Sequence, residues 1–318
     1  MNIATHPVVA SLTPVFILIA LGYLAGRLQW IRDAAVKDLS NLVFLLLIPA
    51  LLFRTMSAVR FEQLDLRPVV AYFLAALTLL AVSIVWRGFN RGSVVMALAG
   101  TFSNMVMIGI TLVQLAYGKE GQVTLLTLVS VHALILLTVG SIVLELAVAR
   151  EARAGGQRAP HVLETAWSAF KGALIHPIPL PILSGLLFAQ TGLTLPTVID
   201  RPLQLLGSAF GPIALVLVGV TLARTPMAGH LRQALWISAS KNLALPLLVG
   251  LCAWAMGITG LPLTVMVVAA ALPVGANVFL FAQRYEVAQE VTTASMGLST
   301  VLALFTLSLA MTVMSVLN

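Results

Sequence analysis

Two asparagines and a lysine stand where an apolar chain has little reason to keep them. Asn104 lies in Ala99-Gly100-Thr101-Phe102-Ser103-Asn104-Met105, and Asn277 in Ala271-Leu272-Pro273-Val274-Gly275-Ala276-Asn277. Each amide offers two N–H donors and a carbonyl acceptor while carrying no charge. Around them Gly100, Gly275 and Pro273 interrupt a helix, the glycines through backbone freedom and the proline through its missing N–H. Lys241 lies about ten residues into another apolar stretch, roughly 15 Å along a helix. A lysine at the bilayer centre costs about 2.5–3.5 kcal/mol to insert, so it needs a partner or a task. Such donors, converging on one place, would bind an anion.

Each residue has a plainer reading beside that one. The asparagines bind a ligand, cap the interrupted helices, or do both. Lys241 either supplies positive charge next to an anionic substrate or bonds backbone carbonyls at a helix break. Ser103 and Thr101 could add donors, yet hydroxyls in helices often bond back to their own carbonyls. His132 and His176 each sit about ten residues into an apolar stretch and titrate in the physiological range. His132 is the better candidate for a proton relay, with a satisfied interhelical histidine as its alternative. Every Asp and Glu falls in a loop or near a span end, so no carboxylate stands at mid-bilayer to hold Na⁺ or pass H⁺. That argues against a cation as substrate and leaves open only Na⁺ sites made of carbonyls.

The elements that position these residues must be membrane helices. With 60% hydrophobic residues, 9% charged residues and a mean hydropathy of +1.03, a water-soluble fold of 318 residues is excluded. At roughly 20 residues per span the chain divides into about ten: 8–28, 33–54, 67–87, 93–117, 122–148, 166–190, 198–222, 231–256, 261–284 and 290–316. The first has no basic leader and no small-residue cleavage site, so it is read as a retained span. The single cysteine, Cys252, lies in an apolar span and allows neither an intrachain disulfide nor a metal cluster. No HExxH, GxSxG, P-loop or GxGxxG context is present, so neither enzyme chemistry, ATP, a cofactor nor a metal is expected.

The longest polar connection, Arg150 to Pro160, separates residues 1–148 from 166–318 through a linker at 149–165. The two halves share spacing: Pro14, Gly22 and Pro49 recur 163 positions later as Pro177, Gly185 and Pro212. With an odd number of spans in each half, the repeats must face opposite ways. Backbone can leave the helix at bilayer depth only where protein or a water-filled cavity satisfies it. A matched pair of interrupted segments in inverted repeats points to the binding site of a secondary transporter.

At these residues the chain resembles the auxin efflux carrier family, whose bacterial members include malonate carriers. The similarity is carried by Leu12-Thr13-Pro14-Val15-Phe16 with Leu21-Gly22-Tyr23, and by Leu47-Ile48-Pro49-Ala50-Leu51-Leu52-Phe53-Arg54. It continues in Ser103-Asn104-Met105 with Ile108-Gly109-Ile110, and in Pro273-Val274-Gly275-Ala276-Asn277 with Ala282-Gln283-Arg284-Tyr285. The resemblance implies the ten-helix fold of bile-acid symporters, all-α and built of two inverted five-helix repeats with broken, crossing helices 4 and 9. Spans 1, 2, 6 and 7 would form a scaffold, spans 3–5 and 8–10 a moving transport domain, and a scaffold-mediated homodimer is reasonable. The combined expectation is an inner-membrane carrier of a small mono- or dicarboxylate, malonate-like, working by elevator-type alternating access. Substrate contacts are expected from Asn104, Asn277, Lys241, Ser103, Thr101, Gly275 and Pro273, with H⁺ as a candidate coupling ion. The alternatives are a sodium-coupled bile-acid-type symporter and a non-transporting membrane sensor.

The net charge of +7 follows membrane topology and not nucleic acid, because the basic residues sit at span ends without an interleaved aromatic patch. With the N-terminus outside, twelve of the 18 Lys and Arg fall in inner loops. Only Arg54, Arg60, Arg67, Lys119 and Arg201 fall outside, and Lys241 lies within a span. Positive residues collect on the cytoplasmic side, so both termini are expected in the periplasm and the 149–165 linker in the cytoplasm. Single cysteines at Gly156 and Asn318 in a Cys252→Ser background test this. An impermeant thiol reagent added from the periplasm should label position 318 and spare position 156; the reverse pattern inverts the topology.

Overall fold

The computed structural model describes residues 7–60, 65–154, 167, 178–225 and 230–317. The described residues are overwhelmingly helical, with one isolated antiparallel bridge and no strand. The first helices are α1 (Pro7–Arg27), α2 (Asp33–Leu42), α3 (Ile48–Met56), α4 (Arg67–Arg87), α5 (Arg91–Ala99) and α6 (Ile110–Ala154). They are followed by α7 (Pro179–Gln190), α8 (Thr197–Arg224), α9 (Leu231–Ala239), α10 (Leu245–Ala255), α11 (Gly260–Ala271), α12 (Asn277–Arg284) and α13 (Gln289–Leu317). Their outward faces carry large apolar side chains such as Val85, Leu247 and Phe305, which only lipid would solvate. Trp30, Trp86 and Trp254, at or just past helix ends, are each more than 70% exposed, as interfacial tryptophans are.

Among the described residues seven helical stretches are long and apolar enough to cross a membrane, against about ten expected. Three features account for the difference. The second half of the fourth expected span and the whole of the fifth form one stretch, Met105–Ala154, interrupted only at Gly118. There φ is 63° and ψ is −155°, a conformation suited to glycine, and the chain folds back so that a Cβ on Gly121 would lie 2.5 Å from the Tyr117 Cβ. Secondly, α7 has 12 residues, Pro179–Gln190, and residues 168–177, including His176 and Pro177, lie outside the described residues, as does the 149–165 linker beyond Ala154. Thirdly, α11 stops after 12 residues at the second interruption.

Prolines shape the helices locally. Single turns of π-helix occupy Val43–Leu47 and Ser240–Ala244, and each lies directly before a proline, Pro49 or Pro246. A proline ring presses on the carbonyl four residues earlier, and widening the turn relieves that clash.

The chain separates into two compact units. One comprises Met1–Leu66, Met105–Ser130 and Ile175–Thr225; the other comprises Arg67–Asn104, Val131–Leu174 and Pro226–Asn318. In the first, α1 packs along α8, and α3 packs on α7 and α8. A Cβ added at Gly22 would lie 2.0 Å from the Val216 carbonyl oxygen, and one at Gly219 2.0 Å from that of Ile19. Gly185 stands in the same relation to α3, 2.6 Å from the Phe53 carbonyl oxygen. Small residues that bring backbones together are the usual means of joining helices in lipid. Gly22 and Gly185, related by the 163-residue spacing, thus do the same task on two helix pairs. Arg54 is bound by Asp200 in a two-pronged ion pair at 2.7 and 3.0 Å. Arg224 donates to the Ile31 carbonyl.

Gly22→Ala should therefore lower the unfolding midpoint in detergent, since overpacking a tight contact costs roughly 1–3 kcal/mol. Gly250→Ala, whose new Cβ would meet only Val267 at 3.6 Å, is the control and should change stability little. Equal effects of the two substitutions would contradict the close α1–α8 crossing.

Candidate functional site

The second unit carries both interruptions. α5 starts at a cap in which the Ser93 N–H donates to Asn90 Oδ1 at 2.9 Å, and it ends at Ala99. Gly100 allows close approach: a Cβ there would sit 3.2 Å from Ser240 Oγ. Phe102, Ser103 and Asn104 then run without helical structure before the π-turn Met105–Gly109. In the other half α11 ends at Ala271, and Leu272 adopts φ −59° and ψ 152°. That extended geometry is what a following proline imposes, and Pro273 in turn brings no N–H to continue a helix.

The two non-helical segments pair with each other. Ser103 and Val274 form the antiparallel bridge. The Asn104 N–H donates to the Pro273 carbonyl at 2.9 Å, and the Gly275 N–H donates to the Phe102 carbonyl at 2.8 Å. Gly275 is required for the approach, because a Cβ would lie 2.9 Å from Phe102 Cδ1 and 3.2 Å from the Ser103 carbonyl. One backbone N–H and one carbonyl of each segment are thereby satisfied by the other.

Side chains from the surrounding helices brace this crossing. Lys241, fully buried in the π-turn between α9 and α10, donates through Nζ to the Ala270 and Leu272 carbonyls at 2.5 and 2.6 Å. On α4, the Tyr72 hydroxyl shares a hydrogen bond of 2.9 Å with Ser103 Oγ. The Val274 N–H donates to Ser299 Oγ on α13 at 3.0 Å, and Asn242 Nδ2 donates to the Ser299 carbonyl at 2.9 Å. His132 on α6 lies edge-on to Phe102, with ring centroids 4.7 Å apart, and contacts Tyr72 and Phe73 as well. Its Nε2 finds no hydrogen-bond partner among the described residues.

The candidate residues therefore fall into two sets. Lys241, Thr101, Ser103, Pro273 and Gly275 are buried and build the crossing; Thr101 Oγ1 bonds back to the Ala97 and Leu98 carbonyls, both at 3.2 Å. His132 packs against the crossing with no hydrogen bond leading on from Nε2. Asn104 and Asn277 differ, being partly exposed and standing where helical structure resumes after each break. Helix starts carry positive partial charge, suited to an anion. Tyr72, Ser299 and Asn242 were not among the residues singled out from sequence. A signal for Tyr72 exists: it precedes Ser103 by 31 positions, as Lys241 precedes Val274 by 33.

Comparison with known proteins agrees with this architecture. Residues 7–311 match the family described as membrane transport protein. Over 303 residues the chain is 29% identical to a protein of Rhizobium meliloti (strain 1021) described as a "putative malonate transporter", the match covering 93% of this chain and 92% of that one. These proteins are transporters and not enzymes. A match spanning nearly the whole chain, over apolar helices with a braced double interruption, gives the assignment: this multi-pass membrane protein belongs to the membrane transport protein family, the family of the auxin efflux carriers.

Proposed function

We propose that the protein is a secondary transporter of a small organic anion, a mono- or dicarboxylate such as malonate, and that the crossing of the two interrupted helices is its binding site. The observation that carries this reading is the pair of partly exposed amides, Asn104 and Asn277, each at the start of resumed helix beside the crossing. Amide donors and positive helix ends suit a carboxylate. Lys241 adds positive charge from beneath the crossing, and Ser103, Thr101, Pro273 and Gly275 hold its shape. The description of the Rhizobium relative supports malonate as the first substrate to try.

For the architecture we propose two inverted five-helix repeats and an elevator movement of a transport domain against a scaffold. The shared tasks of Gly22 and Gly185, and the matching positions of Tyr72 and Lys241 before their breaks, support the repeat. The division into two compact units supports the domains in part: the first contains spans 1, 2 and 7 and the second spans 3, 8, 9 and 10, while spans 4, 5 and 6 are each divided between the two. In this reading the protein lies in the cytoplasmic membrane with periplasmic termini, a homodimer forms through the scaffold, and H⁺ is a candidate coupling ion.

A thermal-shift screen of mono- and dicarboxylates on the purified protein tests the site, since a ligand of the folded state raises its apparent stability by RT ln(1 + [L]/Kd). Asn104→Ala removes hydrogen bonds worth about 1.5–3 kcal/mol to a charged ligand group, so affinity should fall roughly 10- to 100-fold while the protein stays folded. If Asn104→Ala binds every ligand from the screen as tightly as the unaltered protein, the site lies elsewhere.

A further inference from the structure

In carriers with interrupted helices, Na⁺ is held by unwound backbone carbonyls and the C-terminal ends of half-helices. The second interruption here presents those groups: the Ala270 carbonyl in the last turn of α11 and the Leu272 carbonyl just beyond it. Both already accept a hydrogen bond from Lys241 Nζ, at 2.5 and 2.6 Å. These are short contacts, as charge-assisted hydrogen bonds are. The negative end of the α11 dipole also favours a positive group there. The lysine side chain has no exposed surface.

The surroundings offer a metal ion little else. Among the described residues of this unit, Glu145 accepts from the Tyr285 hydroxyl, Glu151 binds Arg91, Glu290 pairs with His230, and Glu286 is exposed beyond α12. Among the described residues of this unit no carboxylate reaches the crossing. At the first interruption the corresponding brace is the neutral pair Tyr72–Ser103. Lys241 Nζ thus stands on the side of the crossing that presents the Ala270 and Leu272 carbonyls.

We infer that the Lys241 ammonium is a built-in substitute for a bound sodium ion, holding the second interruption in shape so that the protein folds and works without Na⁺. The inference rests on the carrier reading only where it concerns transport; the occupancy of the carbonyls by a side-chain cation stands apart from it.

The test has two arms. In the first, the unfolding temperature of the purified full chain is measured in NaCl, KCl and choline chloride at equal ionic strength. The unaltered protein should unfold at the same temperature in all three. Lys241→Ala should unfold several degrees lower in choline, and recover part of the loss in NaCl or in n-propylammonium chloride, which restores the excised part of the side chain. In the second, counterflow of labelled malonate in liposomes should be equal in Na⁺ and choline for the unaltered protein, and become dependent on Na⁺ or n-propylammonium in Lys241→Ala. Stabilisation of the unaltered protein by Na⁺ over K⁺ overturns the inference, and needs no variant to fold. A loss in Lys241→Ala that neither cation restores also overturns it, as does a Lys241→Met protein of undiminished stability, since either would make Lys241 a space-filling residue. Absence of malonate counterflow in every salt, with the thermal pattern intact, would count against the carrier reading and leave the inference standing.

Discussion

Inside an apolar span a backbone N–H or carbonyl that leaves the helix has no water to turn to, and each one left unsatisfied costs several kcal/mol. The second unit is organised around meeting that demand. Phe102, Asn104, Pro273 and Gly275 satisfy one another across the antiparallel bridge, and Lys241 and Ser299 take the remaining carbonyls and N–H group that the bridge does not reach. Asn104 enters the bridge through its backbone N–H, and its side chain and that of Asn277 remain partly exposed.

The two units solve the problem of cohesion in lipid differently. In the first, glycines bring α1 against α8 and α7 against α3 until a single added carbon would collide with a carbonyl. Close backbone contact of that kind leaves little freedom for the helices to slide. The second unit relies more on hydrogen bonds converging from α4, the Ser240–Ala244 turn and α13 on one crossing. A tightly packed glycine-joined unit and a polar-braced unit suit the static and moving parts of an elevator, as proposed.

The interruptions were legible in the sequence because their causes are local. Pro273 forces Leu272 out of the helix, Gly275 is small enough for the Ser103 backbone to pass, and Gly100 for the Ser240 side chain. The bracing was only half legible. Lys241 announces a need for partners without naming them, because the Ala270 and Leu272 carbonyls lie 29 and 31 residues away and leave no mark on spacing. Tyr72 and Ser299 were missed for the opposite reason: a lone tyrosine or serine is ordinary in an apolar helix and becomes informative only when the break it touches is known. The junction of the fourth and fifth expected spans was legible too, since Gly118, with positive φ, breaks the Met105–Ala154 stretch within the gap expected between 117 and 122. Charge counting placed Arg54 against the trend, and its ion pair with Asp200, 146 positions away, gives the reason it is tolerated.

The central claim, that the crossing is the anion site of a carrier, is tested most directly by counterflow. Liposomes holding the purified protein are loaded with unlabelled malonate and diluted into a trace of labelled malonate. The account predicts transient accumulation of label above its equilibrium level, abolished in a folded Asn104→Ala/Asn277→Ala double variant. Undiminished counterflow in that double variant would contradict the site, and absence of counterflow with malonate and with every carboxylate found to bind would contradict the carrier.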